Sequence, residues 1–513
     1  MRRYLRGLRL WPAYLVLLAG AGLQVWCWWK DEPTRQHRVM NSLSFGVLTL
    51  AALLLWLLLF SRLSARLRWR LLGGLALLAV LGFSLVEIRG VSGDLVPILA
   101  WRFQGELDEA PVASPDGPRA VATAGDFPQF LGPRLDARLP GVFLHRDWQS
   151  HPPREVWRRA VGAGWSGFAV AGDLALTQEQ RGEEEMVVAY ALATGDPVWS
   201  HGDRARYDAT IGGVGPRATP TVAGGRVFTV GSTGLLNALD LATGRQLWGH
   251  DLVAELGAEI PSWGKSSSPL VLENRVFVPV GGSGKSLVAF DAADGRELWR
   301  GGDDGASYSS PLVAELAGRR QIVLFTAASV TGQDPESGRV LWRHPWSAGQ
   351  PNVAQPIVLG PDRLLVSSGY GIGASLLELS SGEGEGLVAR ELWHSPRLKL
   401  KFSQAVEHDG RLFGLDDGVF TCLDPSSGER CFKRGRYGHG QLLLVGDLLL
   451  VQTEAGELLL VEPDAAEARE LGRIDTLSGH AWNTLAFSPP YLLLRNHQEA
   501  VCYELALAGE EAV

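Results

Sequence analysis

From residue 154 onward the chain repeats one short pattern: a strand, a turn containing glycine, and a second strand ending in tryptophan. The plainest copies are AYALATGDPVW (189–199), NALDLATGRQLW (237–248), VAFDAADGRELW (288–299) and TGQDPESGRVLW (331–342). Degenerate copies end at Trp393 and Phe432, and LLVEPDAAEARELGRI places Leu471 at the aromatic position. Counted from Trp157, that position returns every 39 to 51 residues. A lone hairpin is marginal in water, so such an array is stable only if successive units pack on one another. A further strand pair precedes each hairpin, as in TPTVAGGRVFTVGS (219–232), SPLVLENRVFVPVG (268–281) and QLLLVGDLLLVQTE (441–454). Four strands per period, A to D, predict the blade of a β-propeller. Long stretches of helical period are lacking, which excludes a helical solenoid. The last unit offers three strands, AWNTLAF, YLLLRN and AVCYEL, and REVWRRAV (154–161) supplies the fourth. Sharing that sheet between early and late chain closes the ring and leaves no open edge. The expected fold is therefore all-β: an eight-bladed propeller over 126–505, with a tail at 506–513 and seven blades as the alternative.

The first 90 residues are of another kind. Charge-free apolar runs predict membrane spans near 10–29 and 41–61, each reaching the ~20 residues that cross a bilayer. A third, shorter run is expected to span about 71–88, leaning on Arg70 and Arg89 at its ends. Together they predict a transmembrane segment over 1–90, integral by three spans and joined by a flexible 91–125 linker rich in Pro, Ala and Gly. Arg2, Arg3, Arg6 and Arg9 precede the first span, and Arg62, Arg66, Arg68 and Arg70 follow the second. Positive-inside logic then puts these in the cytoplasm and the propeller outside, in the periplasm of an inner (plasma) membrane protein.

A net charge of −8 gives no expectation of nucleic-acid binding. The four cysteines form no CxxC pair, so zinc and thioredoxin-type chemistry lack their spacing. Cys422 and Cys431 flank the turn in CLDPSSGERC; pairing Asp424 with Glu429 sets them opposite each other, and a disulfide is one expectation, two free thiols the other.

The units resemble the PQQ-like β-propeller repeat, through ALDLATGRQLW (238–248) and an entry stretch FPQFLGP (127–133). The resemblance implies one of two functions. Some members are scaffolds, such as the BamB outer-membrane assembly lipoproteins; others are quinoprotein dehydrogenases that bind PQQ. This chain lacks the adjacent-cysteine pair frequent in the dehydrogenases, and ~390 residues over eight blades leave little room for insertions. The expected function is a membrane-anchored binding or scaffold module for an envelope protein partner or a ligand, with no cofactor. The alternative is a quinoprotein dehydrogenase or quinone-linked redox sensor holding PQQ with calcium.

The C–D turns are short and alike, whereas the D–A loops are long and dissimilar, as in 201–217 and 249–265. Varied loops carry binding, so the D–A face is the expected functional face. At its channel mouth the starts of the A strands offer Trp165, Arg217, Lys265, Tyr308, Asn352, Gln355, Lys401, His439, Gln441 and Trp482. Cations among aromatic faces suit a planar anion or an acidic peptide. The paired carboxylates Asp303–Asp304 and Asp416–Asp417 lie on loops of the same face, with calcium or general-base roles as the functional reading and solvated turns as the simpler one.

Overall fold

A computed structural model of the chain describes residues 10–30, 34–103, 126–209, 211–382, 384 and 386–509. It divides into two compact units, Met1–Gly105 and Glu106–Val513.

The first unit holds three helices long and apolar enough to cross a membrane: α1 (Trp11–Trp29), α2 (Arg35–Leu55, continued by a π-helical turn to Phe60) and α3 (Ala65–Leu85). Gly20 gives α1 its close approach to α2, because a Cβ there would lie 2.6 Å from the Thr49 hydroxyl. The third span is shifted from its expected place. Its helix starts at Ala65, taking Arg66, Arg68 and Arg70 into the first turns, and ends at Leu85. Those 21 residues reach about 31 Å, enough for the bilayer core. The expected linker is also corrected at its start: Val86–Val91 and Pro97–Trp101 pair as an antiparallel hairpin. Residues 104–125 of the linker and the four N-terminal arginines lie outside the described residues.

Among the described residues the second unit carries eight blade-like sheets, seven of four antiparallel strands and one of five, in which a short parallel strand is added to the antiparallel four. Blades 1 to 7 follow in chain order and begin at Ala169, Thr221, Leu270, Leu312, Ile357, Ala405 and Gln441. Blade 8 joins Ala486–Ser488, Tyr491–Arg495 and Glu499–Glu504 to Arg154–Ala160, with Ala500 opposite Arg159. The chain's early strand thus completes its last sheet, as the strand count requires.

Every blade carries a β-bulge that the repeat pattern does not reveal. In blade 2, Trp248 lies opposite Ala238, but Leu239 lies opposite Gln246, so Leu247 is the extra residue. The other seven blades shift at the same place. A bulge sharpens the twist and re-aims the next side chain. In blades 1, 2, 3, 5 and 8 it turns the ring onto the following blade, whereas Trp342 of blade 4 stays on its own blade, its Nε1 donating to Gln321. Trp199 Nε1 donates to the Leu241 carbonyl at 2.9 Å, and its ring covers Gly244 so closely that a Cβ would stand 2.3 Å away. Trp157, Trp248, Trp299 and Trp393 dock on the next blade's turn in the same way. Gly244 has φ +70°, so both its backbone and the ring above it require glycine.

The bulge corrects two readings. In blade 7 the residue at the ring position is Gly472, opposite Leu460, and Leu471 is the bulged residue. In blade 6 Cys422 lies opposite Phe432 instead of Cys431.

Blade 7 then inverts the lock. Blade 8 takes its C and D strands from opposite ends of the chain, so no continuous turn joins them to receive a ring. Instead Trp148, just before the D strand, lays its ring on Gly472, where a Cβ would stand 2.7 Å away. Ring and glycine have exchanged sides.

The entry stretch FPQFLGP crosses the inner strands. Val170 in blade 1 donates to the Phe127 carbonyl at 2.7 Å and Val222 in blade 2 to that of Pro128 at 2.8 Å. Leu135 packs on blades 3 and 4, and Arg138–Leu139 pairs in parallel with Leu444–Val445 in blade 7. This segment lies across the A–B ends of the inner strands as a plug. The expected tail is partly strapped down: Ala508 donates to the Phe143 carbonyl at 2.9 Å.

Candidate functional site

At the other end, the starts of the A strands are tied blade to blade. Backbone N–H groups of Thr219, Ser268, Ser310 and Gln355 donate to the side chains of Ser268, Ser310, Gln355 and Gln404, each on the next blade, at 2.9–3.2 Å. Gln441 reaches the Phe402 and Trp482 carbonyls, both at 2.8 Å. Asn352 donates to the Thr326 carbonyl at 2.9 Å and accepts from Ser368 at 2.7 Å. Gln355, Gln441 and Asn352 therefore sit where expected but join neighbouring segments. Buried amides are stable only when so satisfied.

The cations are likewise engaged. Lys265, 4% exposed, donates to the Val280 carbonyl at 3.1 Å. Arg217 donates to the Gly212 and Gly213 carbonyls at 2.6 and 2.8 Å and to Ser232 at 3.0 Å, and lies 4.6 Å over the Tyr207 ring. Lys401 is 3.7 Å from Asp417 and 5.3 Å over the Tyr370 ring. The backbone N–H of His439 donates to Glu454 at 3.0 Å. Burial pushes Arg217 down to about 10. It pushes Lys265 down to about 8, helped by the nearby Lys285.

That shift has a pH signature. The unfolded chain holds the Lys265 proton up to about 10.5, the fold only to about 8, so stability rises with pH between the two. Relative to Lys265→Met, the unfolding free energy of the wild type should improve by on the order of 3 kcal/mol from pH 8 to pH 10.5. Parallel curves for the two proteins in pH-dependent melting would rule out a buried charged lysine.

What remains at the mouth is aromatic. Trp165 lies 4.7 Å from Trp482, which lies 5.1 Å from Phe402. Trp263, on the loop before blade 3, reaches Tyr308 at 4.9 Å, Phe402 at 6.2 Å and Tyr370 at 6.4 Å. These residues come from blades 1, 3, 4, 5, 6 and 8, so the rings run across the axis in continuous contact. All six are half-buried. Trp165, Tyr308 and Trp482 were legible in the sequence; Trp263, Tyr370 and Phe402 were not. Phe402 stands inside an aligned A-strand start, KFSQ, and Trp263 inside a loop already marked as long and varied. Tyr370 is on a B–C connection that no alignment of A strands reaches.

The acidic pairs are spent on structure. Asp416, fully buried, meets Lys399 at 2.7 Å, Lys433 at 2.5 Å and Arg430 at 3.1 Å. Asp304 binds Arg343 at 2.9 Å. Cys422 is a buried free thiol and Cys431 an exposed one.

The family model described as outer membrane protein assembly factor BamB matches residues 183–434. The ring is a β-propeller that matches the PQQ-like repeat over that stretch. No curated protein matches the chain in sequence. In structure the propeller resembles BamB from Moraxella catarrhalis (TM-score 0.52, 16% identity, covering 69% of this chain and 97% of that one). It also resembles the quinohemoprotein alcohol dehydrogenase from Comamonas testosteroni (TM-score 0.53, 13% identity, 75% and 81% covered). At these identities the likeness is one of fold.

PQQ, a planar tricarboxylate, needs cations free to turn toward it. The Lys265 ammonium and the Arg217 guanidinium of this propeller point into backbone carbonyls, and Asp416 is neutralised by three cations. These residues do not fit PQQ with calcium.

Proposed function

We propose that this protein is a membrane-anchored scaffold that presents its propeller outside the cytoplasm, in the periplasm of an inner-membrane setting, and binds an envelope protein through the D–A mouth. The aromatic chain through Trp165, Trp482, Phe402 and Trp263 is the observation that supports this. Half-buried, mutually braced rings offer large contact area at little entropic cost, the usual make-up of a binding hot spot. The expected anionic ligand is not favoured, because the cations meant to hold it are engaged internally. A partner's apolar or proline-containing segment suits these ring faces better.

Cross-linked membranes provide the test. Trp263→Ser with Trp482→Ser should lose at least tenfold in the yield of partner adducts, the loss of about 1.4 kcal/mol or more expected from hot-spot rings. The variant's β-sheet circular dichroism should be retained. Undiminished adducts in a folded variant would refute the mouth as the binding face.

A further inference from the structure

The hairpin that follows α3 leaves one face bare. Its register pairs Val86 with Trp101 and Ile88 with Leu99, so these four side chains share a face. Ile88 is 54% exposed, Leu99 67% and Trp101 63%, and Phe103, just beyond the second strand, is 77% exposed. A lone two-stranded hairpin is marginal in water, and an uncovered apolar face marks a surface that something else covers. We propose that this face lies on the headgroup layer of the bilayer that the helices cross, so that the hairpin is an interfacial anchor. The proposal rests on those helices lying in a membrane, and not on what the mouth binds.

Position favours lipid over any other occupant. No residue separates helix from hairpin: α3 ends at Leu85 and the first strand starts at Val86. The second strand is tied back to the same end. The Arg102 backbone N–H donates to the Leu85 carbonyl at 3.0 Å, and its guanidinium to the Phe83 carbonyl at 3.0 Å. At the other end of the hairpin, Asp94 in the turn pairs with Arg35, the first residue of α2, at 3.2 Å. The hairpin therefore stretches from the end of α3 to the start of α2, along the level at which both helices leave the hydrocarbon. Tied at both ends, it has no slack with which to rise away from that level.

The same level carries rings on α1. Gln24 Nε2 donates to the Ser42 carbonyl at 2.8 Å and the Cys27 thiol to the Arg38 carbonyl at 3.3 Å, so the last turns of α1 stand beside the first turns of α2. Trp26, Trp28 and Trp29 are exposed there, and Arg35 lies 5.8 Å over the Trp28 ring. Trp101 and Phe103 extend this belt, and flat amphipathic rings collect where headgroups meet water. Headgroups and water also satisfy the hairpin's open strand edges, which the hydrocarbon core could not do.

Nitroxide labels on the full chain in phosphatidylcholine vesicles read these surroundings. In a Cys431→Ser background, which removes the exposed thiol of the second unit, single labels enter through Leu99→Cys, Ala100→Cys, Leu78→Cys and Asp294→Cys. Collisions with oxygen dominate in lipid, and collisions with a water-soluble nickel chelate dominate in water. Leu78, midway along α3, should give the highest oxygen-to-nickel ratio and Asp294 the lowest. Leu99 should fall between them and well above Ala100, which alternation puts on the other face. Ile88→Cys repeats the reading if the label at Leu99 unsettles the hairpin. A ratio at Leu99 no higher than at Asp294 means a face in water. Suppression of both kinds of collision means a protein cover, and equality with Ala100 means no preferred face. With Leu78 reading as lipid, each of these would overturn the proposal and leave the spans standing. A water-like reading at Leu78 would sink the membrane anchor and this proposal with it.

Discussion

Arg495→Met should destabilise the propeller by about 3–5 kcal/mol, the cost of breaking a buried charge network from one side. The guanidinium is fully buried at the join between blades 8 and 1. It donates to Thr177 Oγ1, to the Gln178 carbonyl at 2.9 Å and to the Gly162 carbonyl at 3.0 Å. Near it Glu179, also fully buried, accepts from Arg181 at 2.7 Å, from the Tyr190 hydroxyl at 3.1 Å and from the Gly162 backbone N–H at 2.8 Å. Methionine fills the volume but leaves the Gln178 and Gly162 carbonyls without their donor and takes away the positive charge that faces Glu179. The damage falls at the ring closure, where Arg154–Ala160 pairs with Glu499–Glu504. Limited proteolysis should therefore cut first near residues 150–161 in the variant and not in the wild type. A melting temperature within a degree of wild type would show that the join does not depend on this network.

Trp148→Ala carries the second large effect, about 3–5 kcal/mol as for other buried tryptophans. Blade 7 has Gly472 where its neighbours have a ring, and the Trp148 side chain fills that space from a different part of the chain. The inverted lock makes a specific double-mutant prediction. Gly472→Trp alone should be at least as harmful as Trp148→Ala, since a Cβ at 472 already meets the Trp148 ring. In the background of Trp148→Ala the same change should cost less, because the site is vacated. Chemical denaturation of the four proteins gives the coupling; additive effects would mean that the two residues do not share one space.

The repeat was legible because its period is carried by large side chains and turn glycines that must recur wherever blades pack. The closing strand was legible by counting. The bulge was not, because an inserted residue leaves hydrophobicity and spacing intact and changes only which residues face each other; hence the misplacement of Leu471 and of the Cys422–Cys431 pairing. Alignment of A-strand starts found the right layer of the mouth but could not tell a ligand donor from a structural tie. Gln355, Gln441 and Asn352 recur there because each blade must be tied to the next. Lys265 and Arg217 looked like a cationic lining until the Val280 and Gly212 carbonyls were seen to hold them. Trp263 escaped because loop residues obey no period, which is also why binding surfaces are built from them.

The claim on which the functional account stands is that one face of the ring meets the partner. Photo-crosslinking side chains placed singly at Ser262, beside Trp263 on the mouth, and at Asp294, on a C–D turn of the opposite face, put it to a direct comparison in intact membranes. The account predicts a discrete protein adduct from position 262 and none from 294. An adduct from 294 with none from 262 would contradict it.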